Sequence, residues 1–327
     1  MKQRDLAIDY AKGIAILLVY LGHSILYYPI NLYEVGWCFT TERMIASCNM
    51  HMFFFISGIL FGFSRKTWRE VIIDKTKRLV LPYLFTMFCV IVSKMLLPSS
   101  IAYNDNQDEG IFYNVFVKGG DRWFVYVLIW MFIIAIPLRK KVKTSWFWLI
   151  ISIPIIVTLT QSAPTIFLID LTMKYIPFFF LGMYMSNYYQ LIKVFLIKYF
   201  SYISILFVIL NICLVTRFSR MLFVWDYVLP IIGTAFFTGL AVLIEKSVYH
   251  KSSNKIFDYI SYSGKYSLQF YLFSFAYPII RTVVVSILHI YNPLAIVTII
   301  FFGQLVAITI IIEITKRIRI LRIPMGY

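Results

Sequence analysis

Three ionisable side chains, Lys12, His23 and His51, lie in long apolar stretches where such groups are rare. Lys12 and His23 are eleven residues apart in the first of these stretches. In an α-helix that spacing returns to within about 20° of the same face, roughly 16 Å further along the axis. An apolar helix with both ionisable groups on one stripe turns that stripe away from lipid. We therefore expect the Lys12–His23 stripe to line an active site.

His23 and His51 are predicted to lie at a similar depth on neighbouring, oppositely directed helices. An imidazole titrates near neutral pH and can take a proton from an attacking hydroxyl group. A lone histidine inside a membrane helix more often serves packing or hydrogen bonding. Two histidines at matched depth are as consistent with catalysis as with such a structural role. No Ser-His-Asp order, metal motif or phosphate-binding glycine loop accompanies them.

Other polar positions allow structural readings. A contact between Arg281 and a carboxylate or carbonyl of another helix explains this arginine at least as well as a substrate role. Ser57 and Gly58 are expected to permit close backbone approach to the first helix, at Gly13 or Gly22. The four cysteines are scattered without CxxC pairs or metal spacing, so we expect isolated small hydrophobic side chains and no metal.

The composition is that of an all-α integral membrane protein. Of the 327 residues, 61% are hydrophobic and 14% are charged, whereas soluble domains carry about a quarter charged residues. The net charge of +16 is explained first by cytoplasmic loops rich in lysine and arginine, so it does not require nucleic acid as a partner. The first apolar run lacks a small-residue cleavage site and is read as a retained helix.

The apolar runs predict about ten transmembrane helices in a single domain over residues 1–327. They are placed near 8–28, 42–63, 79–98, 122–138, 145–160, 168–188, 199–216, 221–245, 264–289 and 292–315. Most of the 31 lysines and arginines fall in the loops on one side, while Arg122 falls in an opposite loop. By the positive-inside rule both termini are cytoplasmic. The basic segment 64–78 is read as a juxtamembrane helix attracted to anionic membrane lipids, and 99–121 as an exposed loop.

Several motifs follow in an order that resembles the acyltransferase-3 family of membrane acyltransferases. They are Asp9-x-x-Lys12-Gly13 with Gly22-His23-Ser24, His51-Met-Phe-Phe-Phe-Ile-Ser57-Gly58, Lys77-Arg78-Leu79 with Pro82-Tyr83, Trp123-Phe124, Ile176-Pro-Phe-Phe-Phe-Leu-Gly182 and Ser267-Leu-Gln-Phe-Tyr-Leu272. The similarity covers essentially the whole chain.

The resemblance implies ten transmembrane helices, a location in the bacterial cytoplasmic membrane and a cytoplasmic acyl donor, commonly acetyl-coenzyme A. It implies a hydroxyl of a cell-surface or cell-wall carbohydrate as acceptor. The family's essential histidine falls on His23 and its basic partner on Lys12. Its basic cytoplasmic cluster falls on Lys75, Lys77 and Arg78.

Two departures from the family pattern concern individual residues. Many members have arginine where this chain has Lys12, and lysine keeps the charge but loses bidentate binding. In this respect the chain is similar to the branch that contains the enterobacterial-common-antigen acetyltransferase, the biofilm-adhesin modification protein and the membrane part of vancomycin-type serine racemases. Many members also have a histidine where this chain has Phe273-Ser274, so its role is not carried over. We expect no appended esterase-like domain, so a relay to one would need another protein.

The leading hypothesis is O-acyl transfer across the membrane, most simply O-acetyl transfer. Lys12, Lys75, Lys77 and Arg78 would bind the anionic phosphates of the donor, and His23 would be the general base with His51 orienting it. Asp9, Ser57, Trp123 and Arg281 are candidates for substrate binding.

The main alternative is a transporter or exporter of a polysaccharide or small polar solute, with the histidines as proton-relay groups. A third reading is a membrane module that works only with a partner enzyme. A homo-oligomer stays open, because lipid-facing and subunit-facing surfaces have the same composition.

Overall fold

The computed structural model describes residues 5–25, 32–96, 113, 116–216, 223–250, 254–274, 276–322 and 324–326. Every regular element within these ranges is helical, and they contain no strand. The main helices are α1 (Leu6–Ile25), α2 (Gly36–Ala46), α3 (Asn49–Phe63), α4 (Trp68–Lys75), α5 (Leu81–Leu96), α6 (Trp123–Leu138), α7 (Trp146–Leu159), α8 (Ile169–Met185), α9 (Tyr189–Lys198), α10 (Phe200–Thr216), α11 (Leu229–His250), α12 (Lys255–Lys265), α13 (Ser267–Leu272), α14 (Ala276–Thr282) and α15 (Pro293–Arg317). Most of the predicted loop 99–121 lies outside the described residues.

Six stretches in the described part of the chain are long and apolar enough to cross a membrane. They are Leu6–Ile25, Gly36–Phe63, Trp68–Ser93, Ile166–Lys198, Val224–Val248 and Pro293–Arg317. Three shorter apolar helices cover Trp123–Leu138, Trp146–Leu159 and Phe200–Cys213. The prediction of an all-α, multi-pass membrane protein is thus confirmed, whereas the count of ten helices and the orientation of the termini stay predictions.

Two predicted helices are interrupted. The segment 42–63 is divided between α2 and α3, where the hydroxyl of Ser47 donates to the carbonyl of Met44 (2.7 Å). Such local bonds compete with helical backbone pairing. The segment 264–289 is divided among α12, α13, α14 and a π-helical turn, Val283–Ile287. Conversely, α4 continues into α5 through a π-helical turn at Thr76–Val80, so 64–78 is not a separate surface helix.

Helices α3 and α8 run parallel with their backbones in contact. His51 lies beside Tyr175, and Gly58 lies beside Phe179 one to two turns further along both helices. Any Cβ atom at Gly58 or Gly182 would collide with a carbonyl group of the other helix. The expected approach of Gly58 to the first helix is therefore wrong, because α8 occupies that face.

Helix α1 lies at the centre of the bundle and packs on α2, α3, α11, α12, α13 and α15. Gly13 faces the carbonyl group of Ile260, and Gly264 faces the carbonyl group of Asp9, so α12 crosses α1 at backbone contact. Small residues allow this approach because membrane helices associate by close packing. The crossing lies on the stretch of α1 between Asp9 and His23. We call the end of the bundle that holds Leu6 and Phe63 the N-terminal end.

Candidate active site

The last turn of α1 is held by polar side chains from other helices. The hydroxyl of Tyr20 donates to the carbonyl of Phe270 (2.8 Å). The amide of Gln304 donates to the carbonyl of Tyr20 (2.8 Å) and to the hydroxyl of Ser24 (3.0 Å). These bonds involve buried groups in α13 and α15. They fix the turn that carries His23.

Two buried arginines act electrostatically on the His23 imidazole, at the end of the bundle opposite the N-terminal end. Arg281 donates from Nη2 to the carbonyl of Ser24 (2.7 Å), and Arg122 donates from Nε to the carbonyl of Leu272 (2.9 Å). The positive charges of both guanidinium groups act on the imidazole, and both side chains are 4% exposed or less. Fixed cations in a buried site can stabilise negative charge that develops during a reaction.

The placement of Arg122 corrects its assignment to an external loop. Its side chain is inside the bundle because the carbonyl of Leu272 accepts its hydrogen bond there. The motif Trp123-Phe124, which directly follows it, was the signal that could have drawn attention to this arginine. Arg281 donates to the carbonyl of Ser24, which is the contact with another helix that the sequence made at least as plausible as a substrate role. Gln304 was missed, although it is a lone amide in an apolar helix.

His51 is buried against α8 rather than against His23. Its ring lies 4.9 Å from the ring of Tyr175 and 4.6 Å from that of Phe178, measured between centroids. Trp123, at the start of α6, stacks with Tyr175, and the centroids of the two rings are 5.8 Å apart. Matched depth therefore did not bring the two histidines into ring contact, since α3 turns His51 toward α8.

Lys12 and Asp9 lie near the N-terminal end of α1, about 16 Å and about 21 Å along the axis from His23. The Lys12 ammonium and the Asp9 carboxylate are 3.3 Å apart. Both line a cavity of about 610 Å³. A second cavity of about 500 Å³ shares Phe63, Ser186 and Asn187 with the first and is lined by Arg65 and Arg139. Ser57, in α3, is half-buried.

The predicted basic cluster is spread over different environments. The Lys75 ammonium lies over the ring of Phe132 (4.1 Å), Lys77 is exposed, and Arg78 pairs with Asp74 (3.3 Å). None of the three lines either cavity at the N-terminal end.

Arg139 lines the second cavity and was not predicted. Its guanidinium donates to the carbonyl of Lys66 (3.0 Å) and lies 5.1 Å above the ring of Phe61. These contacts hold the charge in place. Among the described residues, no group of three or more metal-binding side chains occurs.

Comparison with known proteins agrees with the motif order. Residues 5–314 match the family described as "Acyltransferase domain". The nodulation protein NolL of Mesorhizobium japonicum is 29% identical over 187 residues, which cover 55% of this chain and 47% of that protein. The chain thus matches about half the length of this curated relative. No solved structure matches it significantly. Because the family match spans nearly the whole chain and contains the His23 and Lys12 motif, the protein belongs to the acyltransferase-3 family of membrane acyltransferases.

Proposed function

We propose that this protein transfers a short acyl group from a coenzyme A thioester to a hydroxyl group of an extracytoplasmic or lipid-linked carbohydrate. The observation that carries the proposal is the arrangement along α1. Lys12 lines a cavity at one end of this helix, and His23 lies under the charge of two buried arginines near the other end.

The two cavities at the N-terminal end suit the anionic part of the donor. Coenzyme A carries several phosphate charges, and the second cavity offers it two cations, Arg65 and Arg139. The first cavity shares lining residues with the second, and its cation Lys12 is paired there with Asp9. Arginine can bind phosphate through two parallel hydrogen bonds, and the contacts that hold the guanidinium of Arg139 in place favour this bidentate binding. The exposed Lys77 and Arg78 would attract the donor from solution, with Lys75 behind them.

His23 would act as the general base. Its imidazole removes the proton from the acceptor hydroxyl while the hydroxyl oxygen attacks the thioester carbonyl carbon. The carbon–sulfur bond then breaks, and the proton passes from the imidazolium to the departing thiolate. Arg122 and Arg281 would stabilise the negative carbonyl oxygen of the intermediate. A positioned base contributes about 10²–10⁴-fold, and an oxyanion contact contributes about 10²–10³-fold.

The acyl group that we propose is acetyl, the simplest one that coenzyme A commonly carries. The proposed location is the bacterial cytoplasmic membrane, with both termini facing the cytoplasm. The excess of cations in the loops on the N-terminal side supports this orientation. A donor arriving from the cytoplasm would then meet Lys12 first and reach His23 deep in the bundle.

An assay of acetyl transfer tests the role of His23. Membranes containing the protein receive radiolabelled acetyl-coenzyme A, and label in the cell-envelope carbohydrate is measured. We expect His23→Ala to lower transfer at least 10²-fold, while His289→Ala, which changes an exposed histidine, retains it. Full transfer by the His23 variant, or solute transport without transfer, would overturn the proposal.

Binding of acetyl-coenzyme A to the purified protein tests the donor site. We expect Arg139→Gln to weaken binding about tenfold, because one phosphate contact is lost. The control Lys140→Gln removes a charge from the neighbouring exposed residue. Equal loss in both variants would mean that general surface charge, rather than the cavity, attracts the donor.

A further inference from the structure

An ion pair on α8 lies near the end of the bundle opposite the N-terminal end, apart from the residues assigned above. The Lys174 ammonium is 2.6 Å from the carboxylate of Asp226, with 25% and 12% of the two side chains exposed. Asp226 belongs to a π-helical turn, Val224–Val228, that leads into α11. Single π-helical turns are rare and occur frequently at functional sites.

Two side chains beside this ion pair have buried polar atoms without hydrogen-bond partners. His51 is 3% exposed, and neither of its ring nitrogens has a partner. The carboxylate oxygen Oδ1 of Asp170, one turn before Lys174 on α8, is likewise buried and unpartnered. Leaving such atoms unsatisfied costs free energy. The arrangement is explained if a bound molecule supplies the missing hydrogen bonds.

Aromatic rings surround the same polar groups. Tyr175 stacks with Phe54 and with Trp123, at centroid distances of 4.7 Å and 5.8 Å. Phe178, which contacts His51, faces Tyr227 in a nearly parallel arrangement at 6.0 Å. Trp123 is only half-buried. Ring faces beside hydrogen-bonding groups suit a ligand that has both apolar C–H faces and polar edges.

The cluster adjoins the His23 site through consecutive residues of the chain. Arg122 acts on His23, whereas Trp123, the next residue, stacks on Tyr175, which contacts His51. A molecule seated against Trp123 would therefore lie at the same end of the bundle as the general base. This position fits the acceptor rather than the donor, whose cavities are at the N-terminal end.

We propose that His51, Asp170, Lys174, Asp226 and the rings of Trp123 and Tyr175 form a binding site for an uncharged polyhydroxyl ligand, a sugar ring of the acceptor. The proposal rests on the proposed acyl transfer, for which it supplies the acceptor. A hydroxyl group both donates and accepts hydrogen bonds, so it can satisfy an imidazole, an ammonium and a carboxylate together.

Anionic or wholly apolar ligands fit the cluster less well. Lys174 and Asp226 neutralise each other, and the remaining carboxylate of Asp170 would repel an anion. An apolar ligand would leave the ring nitrogens of His51 without partners. The mixture of donors and acceptors therefore selects a neutral ligand that can act in both ways.

Direct binding of simple glycosides tests this site without using the acyl donor. The full chain is placed in lipid nanodiscs free of glycoside detergents, which would compete. Radiolabelled methyl and octyl glycosides of glucose, galactose and N-acetylglucosamine are the probes, with octyl phosphate and octyltrimethylammonium as charged controls. Binding of methyl glycosides would indicate a soluble sugar, whereas binding of only the octyl forms would indicate a lipid-linked sugar.

We expect at least one glycoside to bind saturably and more tightly than both charged probes. Lys174→Met and Asp226→Asn should each weaken that binding at least tenfold. Glu245→Gln is the matched control, because Glu245 pairs with Lys193 between two other helices. The exchanged pair, Lys174→Asp with Asp226→Lys, keeps an ion pair in reversed order. It should recover the thermal stability that the single variants lose, but not glycoside binding.

Two outcomes would overturn the inference. One is that no glycoside binds better than the charged probes, and the other is that the exchanged pair restores binding together with stability, as a purely structural ion pair would. His23→Ala should bind the glycoside like the wild type and fail only in transfer. Transfer that persists in the wild type without glycoside binding would refute this site alone, whereas transfer by the His23 variant would refute the proposed mechanism.

Discussion

Replacing Gly13 by alanine tests whether the backbone contact between α1 and α12 holds the candidate site together. A Cβ atom there would lie 2.9 Å from both the carbonyl carbon and Cγ2 of Ile260 and closer still to the carbonyl oxygen, whereas ordinary contact begins at 3.4 Å. The carbonyl oxygen is the limiting contact, so the two helices would have to separate by at least about 1 Å, and overpacking of this kind costs about 1–3 kcal/mol.

Gly22 offers the matched control on the same helix, directly beside His23. A Cβ atom at Gly22 would meet only Cγ2 of Ile45, at 3.7 Å. Both substitutions gain the same helix propensity, about 1 kcal/mol in an exposed helix. The difference between the variants therefore isolates the collision with Ile260, and we expect Gly13→Ala to be less stable than Gly22→Ala by about 1–3 kcal/mol.

The two variants are compared by reversible denaturation of the purified protein in mixed micelles and by the acetyl-transfer assay. Displacement of α1 moves Lys12 and His23 relative to the rest of the bundle. A misplacement of about 1 Å can cost as much as 10²-fold in rate, so transfer should fall in Gly13→Ala and persist in Gly22→Ala. Equal stability and activity in the two variants would refute the reasoning that this crossing positions the site.

Two further substitutions concern single polar groups. His51→Phe removes two buried nitrogens that have no partner. We therefore expect the free energy of unfolding to rise by about 1 kcal/mol while glycoside binding falls. A lower denaturation midpoint than that of the wild type would contradict this. Tyr20→Phe removes the bond to the carbonyl of Phe270 (2.8 Å) and should lower the free energy of unfolding by about 1 kcal/mol, measured in the same denaturation; an unchanged midpoint would show that this bond does not stabilise the bundle.

Helices that coincide with one uninterrupted apolar run were predicted well, because the length of the run and the charges that flank it define the helix. Helices α6 and α7 begin and end within one residue of the predicted bounds, 122–138 and 145–160. The segment 264–289 was predicted as one helix, and its breaks at Tyr266 and Phe273 were missed because they lie among apolar and aromatic residues. Tertiary packing on α1 and α15 decides those breaks.

Depth within the bundle was easier to predict than the direction in which a side chain points. The number of residues from a helix end gives the depth of His51, but α3 is apolar on all sides and its pattern does not show which face meets α8. Arg122 follows Gly119-Gly120-Asp121, which is typical of a loop. Its hydrogen bond to the distant carbonyl of Leu272 is a tertiary contact that the local sequence does not show. Lys75 and Lys77 are close in sequence, yet residues two apart point to different sides of a helix.

The parallel course of α3 and α8 constrains the path of the chain between them. If both helices cross the membrane in the same direction, the intervening segment must cross it an odd number of times. Its candidates are Trp68–Ser93, α6 and α7, of which only the first meets the length for a crossing by itself. Helix α6 begins beside Arg122, at the end of the bundle opposite the N-terminal end, and finishes beside Arg139, which lines a cavity at the N-terminal end. If α6 crosses, parity requires that α7 crosses as well. Thr144, between those two helices, is then expected on the same side of the membrane as Phe63.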